Sequence, residues 1–278
     1  MLRLIRDAVV VLFVISVAIF GVSKILDIFN GDSSKPVIKS ASDKITVDCN
    51  YTEKEIFAGL TAEDKQDGDL TDEIVLGNLS RFIEKGKSKA TYVVFDSSNQ
   101  PATYTREVVF RDYVSPRFTL VNPLVIKTNS SIREDSLVGA TDVFDGDISR
   151  KVRITESNIN NSLTGVYTIK AEVSNSFGDT VETTLPVHVV TEPETRVKIS
   201  LKENIVYLEK GAKFNPSKYI DSVVSFYGQP VSKSAVKTAS DVNTAKKGCY
   251  EVKFTATDES GYTGITYMIV FVTEKGEI

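Results

Sequence analysis

The sequence predicts an all-β protein, three tandem β-sandwiches behind one N-terminal apolar helix, and three observations predict it. An uninterrupted apolar run occupies residues 8–22. A set of short motifs then recurs with a period of about 80 residues, and an internal period of that kind is the mark of tandem modules. Within each repeat the longest segments alternate apolar and polar residues, which is the signature of half-buried strands.

The N-terminal run, AVVVLFVISVAIFGV, extends to Leu4–Leu26 if Arg6, Asp7 and Lys24 are allowed as polar interruptions. A helix needs about 20 residues to cross the hydrocarbon core, and Lys24 can reach the interface along its own stem. Arg3 and Arg6 precede the run, which favours an N-terminus inside the cell. The expected layout is a cytoplasmic stub at 1–7, a transmembrane anchor and juxtamembrane segment at 8–30, and everything later outside. Cleavage as a signal peptide is the competing reading, with small residues at Gly21-Val22-Ser23. The return of apolar residues at Ile25, Leu26, Ile28 and Phe29 favours retention. Both readings place the rest of the chain outside the cytosol.

A polar linker, Gly31 to Lys35, leads into the repeats. Lys35-Pro36-Val37-Ile38 returns as Ser115-Pro116-Arg117-Phe118. The stretch from Ala62 to Thr71, which contains Asp64, Asp67 and Asp69, returns from Ala140 to Ser149 with Asp142, Asp145 and Asp147. Gly86, Gly165 and Gly248 each open an alternating strand that ends at Asp96, Asn175 and Asp258. These correspondences divide the chain into repeats at 36–113, 114–192 and 195–278, with short junctions stiffened by Pro116 and Pro193. In the second repeat the alternation turns Tyr167, Ile169, Ala171 and Val173 inward and Thr168, Lys170 and Glu172 outward. Turn clusters follow at Asp96–Asn99, Asn175–Gly178 and Asp258–Gly261, and a last strand closes each unit at Thr105–Phe110, Thr184–Val190 and Tyr267–Val272. No segment after residue 30 sustains a helical period.

The pattern A-x-D-x-x-D-G-D-[LI]-[TS], followed by G-x-Y and an alternating strand, resembles a family of bacterial immunoglobulin-like surface modules related to the domain found in insecticidal crystal proteins. The resemblance implies an immunoglobulin-like sandwich for each repeat and a place on a bacterial surface. Modules of this kind serve as spacers, adhesins and glycan binders, so fold alone does not name a function. The first repeat departs from the pattern with Ser88 in place of the Tyr seen at Tyr167 and Tyr250. The third lacks the Asp-Gly-Asp motif and carries Ser225-Phe-Tyr-Gly-Gln-Pro230 instead.

Composition narrows the chemistry. A net charge of −4 offers no basic face for nucleic acid. A single histidine, His188, cannot build a histidine-rich metal site. No nucleophile motif or phosphate loop is present, and the dense carboxylates sit in repeated turns, so the chain is read as non-enzymatic and without a cofactor. The carboxylates Asp64, Asp67, Asp69, Asp142, Asp145 and Asp147 are read first as turn-forming residues that accept backbone N–H groups around a glycine. Calcium coordination is the alternative, since calcium takes closely spaced carboxylate oxygens. His188 lies opposite Leu185, Val187 and Val189 and is expected in solvent. Cys49 is expected in the core and Cys249 outside it. Tyr104, Tyr113, Tyr227 and Tyr262 lie near turns and are read as packing at strand ends, with a glycan platform as the alternative.

The functional expectation is an anchored extracellular rod that presents or bridges partners at the cell envelope. A glycan-binding module, with its surface on the diverged third repeat, is the first alternative. A subunit of an envelope complex is the second, and it predicts an apolar patch such as one face of the Tyr92–Phe95 segment.

Overall fold

A computed structural model describes the chain over residues 2–30 and 34–274, and the side chains of α1 (Leu2–Asn30) from Val9 to Ile25. The expectations for Arg3, Arg6, Asp7, the linker Gly31-Asp32-Ser33 and the last four residues lie outside that description. From Val9 to Ile25 the large apolar side chains of α1 are exposed on every side. Among the described residues no helix is long and apolar enough to cross a membrane.

Beyond the helix the described chain is built of β-strands joined by turns and short helical turns. The first repeat supplies β1 (Val37–Ser40), β2 (Lys44–Val47), a single helical turn α2 (Glu53–Ile56), β3 (Leu60–Asp64), β4 (Gly68–Asp69), β5 (Val75–Leu79), β6 (Lys87–Phe95) and β7 (Pro101–Phe110). These pair as β1-β3-β4 and β2-β7-β6-β5. The second supplies β8 (Arg117–Thr119), β9 (Val125–Lys127), β10 (Gly139–Asp142), β11 (Gly146–Asp147), β12 (Arg153–Ser157), β13 (Gly165–Ser174) and β14 (Thr180–Val190). They pair in the same order, β11-β10-β8 and β12-β13-β14-β9. The third supplies β15 (Lys198–Leu201), β16 (Ile205–Glu209), β17 (Ile220–Val224), β18 (Lys237–Ser240), β19 (Gly248–Thr257) and β20 (Thr263–Thr273), paired as β15-β17 and β16-β20-β19-β18.

Two sheets per repeat, with the parallel pairings β9–β14 and β16–β20 closing the larger sheets of the second and third repeats, give the all-β, immunoglobulin-like architecture. Alternation sets what each strand buries. Ile169, Ala171 and Val173 of β13 meet Leu185, Val187 and Val189 of β14 and Phe118 and Ala140 of the opposite sheet in one core. Val252, Phe254 and Ala256 of β19 do the same with Met268 and Val270 of β20 and Ile199 and Val223 of the facing sheet. In the first repeat Ala90, Tyr92 and Val94 are buried, which leaves Val93 half-buried and Phe95 exposed beside the exposed Val75.

The chain divides into two compact units. One comprises residues 1–47, 51–80 and 88–109, and the other residues 48–50, 81–87 and 110–278, so the second and third sheet pairs share a unit. Within that unit β20 is buried on both faces. Met268 and Val270 point into the third core, while Ile269 joins the second core and Phe271 packs against it.

The one α-helical turn among the described residues after residue 30 has a local cause. Thr52 and Glu55 form a reciprocal capping box, Glu55 N–H to the Thr52 hydroxyl and Thr52 N–H to the Glu55 carboxylate.

The Gly-x-Tyr element also has a physical reason. The Tyr167 hydroxyl donates to the Leu163 carbonyl at 3.0 Å, and Tyr250 donates to Lys246 at 2.8 Å. Each ring folds back over its glycine; a Cβ would meet the ring in ordinary contact at 3.5 Å at Gly165 and tightly at 3.2 Å at Gly248. The first repeat has Ser88 there, and its hydroxyl is fully buried with no hydrogen-bond partner. An unmade buried hydrogen bond costs about 1–3 kcal/mol, so Ser88→Ala is expected to stabilise the first unit by roughly 1 kcal/mol. A higher midpoint in urea with an unchanged slope would show it.

Candidate functional site

The surface that stands out for function lies on the third repeat, where the Asp-Gly-Asp motif has been replaced. The turn Ser225–Gln229 is closed by Ser225 N–H to the Gln229 carbonyl at 2.8 Å and Gly228 N–H to the Ser225 carbonyl at 3.0 Å. Gly228 takes φ +80°, which a side chain resists. The turn holds Phe226 and Tyr227 outward, 47% and 65% exposed. A second turn, Asp258–Gly261, delivers Tyr262. One residue ties the two together: Asp258 Oδ1 accepts Ser260 N–H at 3.0 Å and Tyr262 N–H at 2.9 Å, and its Oδ2 accepts Phe226 N–H at 3.2 Å.

The three rings form a cluster and not a flat stack. Phe226 and Tyr262 lie 4.8 Å apart and tilted by 44°, and Tyr227 stands edge-on to both, at 5.2 Å from Phe226 and 5.9 Å from Tyr262. The two phenol hydroxyls approach to 3.5 Å, and the Tyr262 hydroxyl raises the pKa of Tyr227, which keeps Tyr227 a neutral donor near pH 7. The Arg196 guanidinium lies 5.5 Å from the Phe226 ring and 5.1 Å from the Tyr262 ring. It donates to Glu192 at 3.3 Å, and its buried Nε has no partner. Next to the cluster, Tyr227, Gln229, Ser232, Glu259 and Ser260 line an open cleft of about 480 Å³, within the range of small-ligand sites. The arrangement offers ring faces for C–H groups, and hydroxyl, amide and carboxylate groups for a polyhydroxylated ligand.

The tyrosines anticipated from sequence therefore part ways. Tyr227 is not strand-end packing, because the glycine turn holds it in solvent. Tyr113 is buried; its hydroxyl donates to Asp179 at 2.7 Å and accepts from Asn175 at 2.8 Å, and burial followed by Asp179 pushes its pKa up. Tyr104 donates to Asp43 at 2.6 Å. Phe226 and Arg196 went unremarked in the sequence; the signal available for Phe226 was its place in the replaced motif.

The acidic turns have the following geometry. Asp64 Oδ1 accepts Gln66 N–H at 2.7 Å and Asp67 N–H at 3.2 Å, and Asp142 Oδ1 accepts Phe144 and Asp145 N–H at 2.9 and 3.1 Å. Gly68 and Gly146 follow at φ +79° and +67°. Asp69 and Asp147 accept the N–H groups of Thr71 and Ser149, each at 2.9 Å, and their pKa values are lowered first by the hydroxyls of those residues. Asp67 accepts Ser97 N–H at 2.8 Å. Asp145 accepts from Ser176 N–H at 2.8 Å and Lys151 at 2.7 Å. Burial works to raise the Asp145 pKa, but Lys151 and Ser176 together hold it low. Among the described residues no three acidic, histidine or cysteine side chains converge as a metal-holding group.

His188 corrects its expectation. It faces away from Leu185 and Val187 as the alternation requires, yet it is buried, because the third sheet pair covers that face. Its Nε2 lies 2.7 Å from Glu251 Oε1, and its ring stacks on Tyr267 at 3.4 Å between centroids. Cys49 is buried, its thiol pushed up to about 12 by burial and then by Asp112; Cys249 is exposed, and both are free thiols.

No family model matches the chain. Over 125 residues it is 36% identical to the pesticidal crystal protein Cry22Aa of Bacillus thuringiensis, a match covering 44% of this chain and 16% of that protein. It is 23% identical over 245 residues to an uncharacterized 81.3 kDa protein of Acholeplasma phage L2, covering 85% of this chain and 32% of the other. The chain thus spans under a third of the length of either relative. Among solved structures, Drosophila N-cadherin EC1-3 is similar at 11% identity and a TM-score of 0.32, covering 87% of this chain and 90% of that one. The CBM51-2 and INT domains of Clostridium perfringens ZmpB, solved with GlcNAc, are similar at 16% identity and a TM-score of 0.23, covering 55% of this chain and 41% of that one. The immunoglobulin-like assignment therefore rests on strand order and core, and the resemblance to a crystal-protein module on the 125 matched residues.

Proposed function

We propose that the chain is a non-enzymatic adhesive module that presents a binding surface at the cell envelope, and that this surface is the Phe226–Tyr227–Tyr262 cluster with a polysaccharide as ligand. The observation that carries the reading is a glycine-built turn holding two large aromatic side chains in water, in the one repeat that has given up the Asp-Gly-Asp motif. Exposed aromatic residues are uncommon without a partner, and they anchor recognition surfaces. Each repeat is one module in this reading, at 36–113, 114–192 and 195–278, and α1 holds them at a membrane. The all-round apolar surface of α1 between Val9 and Ile25 supports the anchor, because such a helix is stable only where apolar matter surrounds it.

The test is binding of the full chain, in detergent, to immobilised bacterial cell-wall polysaccharide. Tyr227→Ala is expected to weaken binding by roughly thirtyfold, the loss of a central aromatic contact worth about 2 kcal/mol. The fold should be unchanged, since Tyr227 buries little. Saturable binding that survives both Tyr227→Ala and Phe226→Ala would overturn the site.

A second reading, a subunit of an envelope assembly, is favoured by the exposed Val75 and Phe95 flanking half-buried Val93 on β5 and β6 of the first repeat. It predicts that charged substitutions there, and not at Tyr227, disrupt function.

A further inference from the structure

The second and third repeats solve one local problem in two ways, and the first leaves it unsolved. Asp96, Asn175 and Asp258 occupy the same place after the long alternating strand, and each closes the turn that follows with one side-chain oxygen. Asp96 Oδ1 accepts Gln100 N–H at 2.7 Å, Asn175 Oδ1 accepts Asp179 N–H at 2.9 Å, and Asp258 Oδ1 accepts Tyr262 N–H at 2.9 Å. That shared bond fixes the direction of the other terminal atom. In the second repeat it is an amide nitrogen, and it donates to Asp142 Oδ2 at 3.0 Å. In the third it is an oxygen, and it accepts Phe226 N–H.

In the first repeat it is Asp96 Oδ2, buried and without a hydrogen-bond donor, on a residue only 5% exposed. The counterpart of Asp142 there is Asp64, itself buried and a carboxylate. By the equivalence of the repeats, the first has a carboxylate, Asp96, at the position from which the second directs an amide at Asp142. A buried carboxylate oxygen with no donor is costly unless a cation joins it.

We propose that Asp64 and Asp96 together hold a hard divalent cation of the calcium class. Ser34 Oγ, 3.1 Å from both Asp64 oxygens, supplies a further oxygen. Asp67, whose Oδ2 is taken by Ser97 N–H, is not needed. Few protein oxygens leave much of the shell to water, so the affinity is weak, on the order of 10⁻⁴–10⁻³ M, as in extracellular calcium modules. The second and third repeats, whose corresponding atoms are already satisfied, bind none. This site shares no residue with the aromatic surface, and its failure would leave that reading untouched.

The experiment is a thermal melt of the full chain in detergent, in chelator and in excess calcium. The wild type is expected to gain about 2–4 °C with calcium. Asp96→Asn retains the Gln100 bond and supplies the amide that the second repeat uses, so it is expected to raise the midpoint in chelator and to lose the calcium response. Its stabilisation in chelator also shows that it folds. Ser34→Ala should reduce the response without that gain. No calcium response in the wild type, or an equal response in Asp96→Asn, would overturn the proposal.

Discussion

Gly264→Ala is expected to unfold the third sheet pair and to abolish binding at the aromatic cluster with it. A Cβ at Gly264 would stand 1.8 Å from the Val197 carbonyl oxygen and 2.6 Å from its carbon. The obstruction is backbone, so no rotamer change relieves it. Val197 N–H donates to the Thr263 carbonyl at 2.9 Å, and Thr195 bridges to Gly264, so the bare glycine is what lets the chain entering β15 lie against the start of β20. Arg196 sits in that segment, and the close approach carries its guanidinium over Phe226 and Tyr262. Forcing a methyl into a packed core costs about 1–3 kcal/mol, and a fixed backbone neighbour puts this case at or above the upper end. The chain has no tryptophan and eleven tyrosines, so tyrosine fluorescence in urea reads the transition. Gly261→Ala is the control. Its Cβ would enter open space, and with φ at +83° the cost is limited to about 1 kcal/mol of backbone strain. Equal destabilisation by the two substitutions would refute the close-approach argument.

Arg106→Ala is expected to cost the first unit about 3–5 kcal/mol, the range for removing a buried, hydrogen-bonded charge. Arg106 is 3% exposed and makes no ion pair among the described residues. Its guanidinium instead donates to the Ile56 carbonyl at 2.8 Å, the Ala58 carbonyl at 2.8 Å and the Tyr92 hydroxyl at 3.2 Å, and it lies 5.0 Å over the Tyr92 ring. Ile56 ends α2 and Ala58 follows it, so the guanidinium satisfies carbonyls that the helix leaves open. Tyr92, itself fully buried, donates to the same Ile56 carbonyl at 2.6 Å. Truncation opens a cavity and orphans the Ala58 carbonyl. Arg106→Lys is expected to recover little, because an ammonium cannot span the carbonyls and the hydroxyl as a planar fork does. Urea melts of the three proteins would show it, and a loss below about 1 kcal/mol for Arg106→Ala would refute the role.

Arg106 also shows how sequence and structure divide the work. The alternation in Thr105–Phe110 puts it on one face with Val108 and Phe110, so its inward direction was legible by period alone. Its partners were not, because Ile56 and Ala58 lie some fifty residues away and are placed by a capped turn. His188 is the same case on a larger scale: parity gave its side of β14, and only the packing of β20 and Glu251 against that side made it buried. For the candidate site, the lost Asp-Gly-Asp motif pointed to the third repeat. That Phe226, Tyr227, Tyr262 and Arg196 meet was set by Asp258, which receives hydrogen bonds from two turns more than thirty residues apart.

The sequence by itself determined the β class, the repeat, the inward and outward faces of the long strands and the turn residues, because periodicity and local backbone chemistry act over a few residues. The tertiary structure decided which outward faces are covered, which buried polar atoms find partners and which aromatic residues stay in water, because burial and hydrogen-bond satisfaction depend on segments brought together from distant parts of the chain.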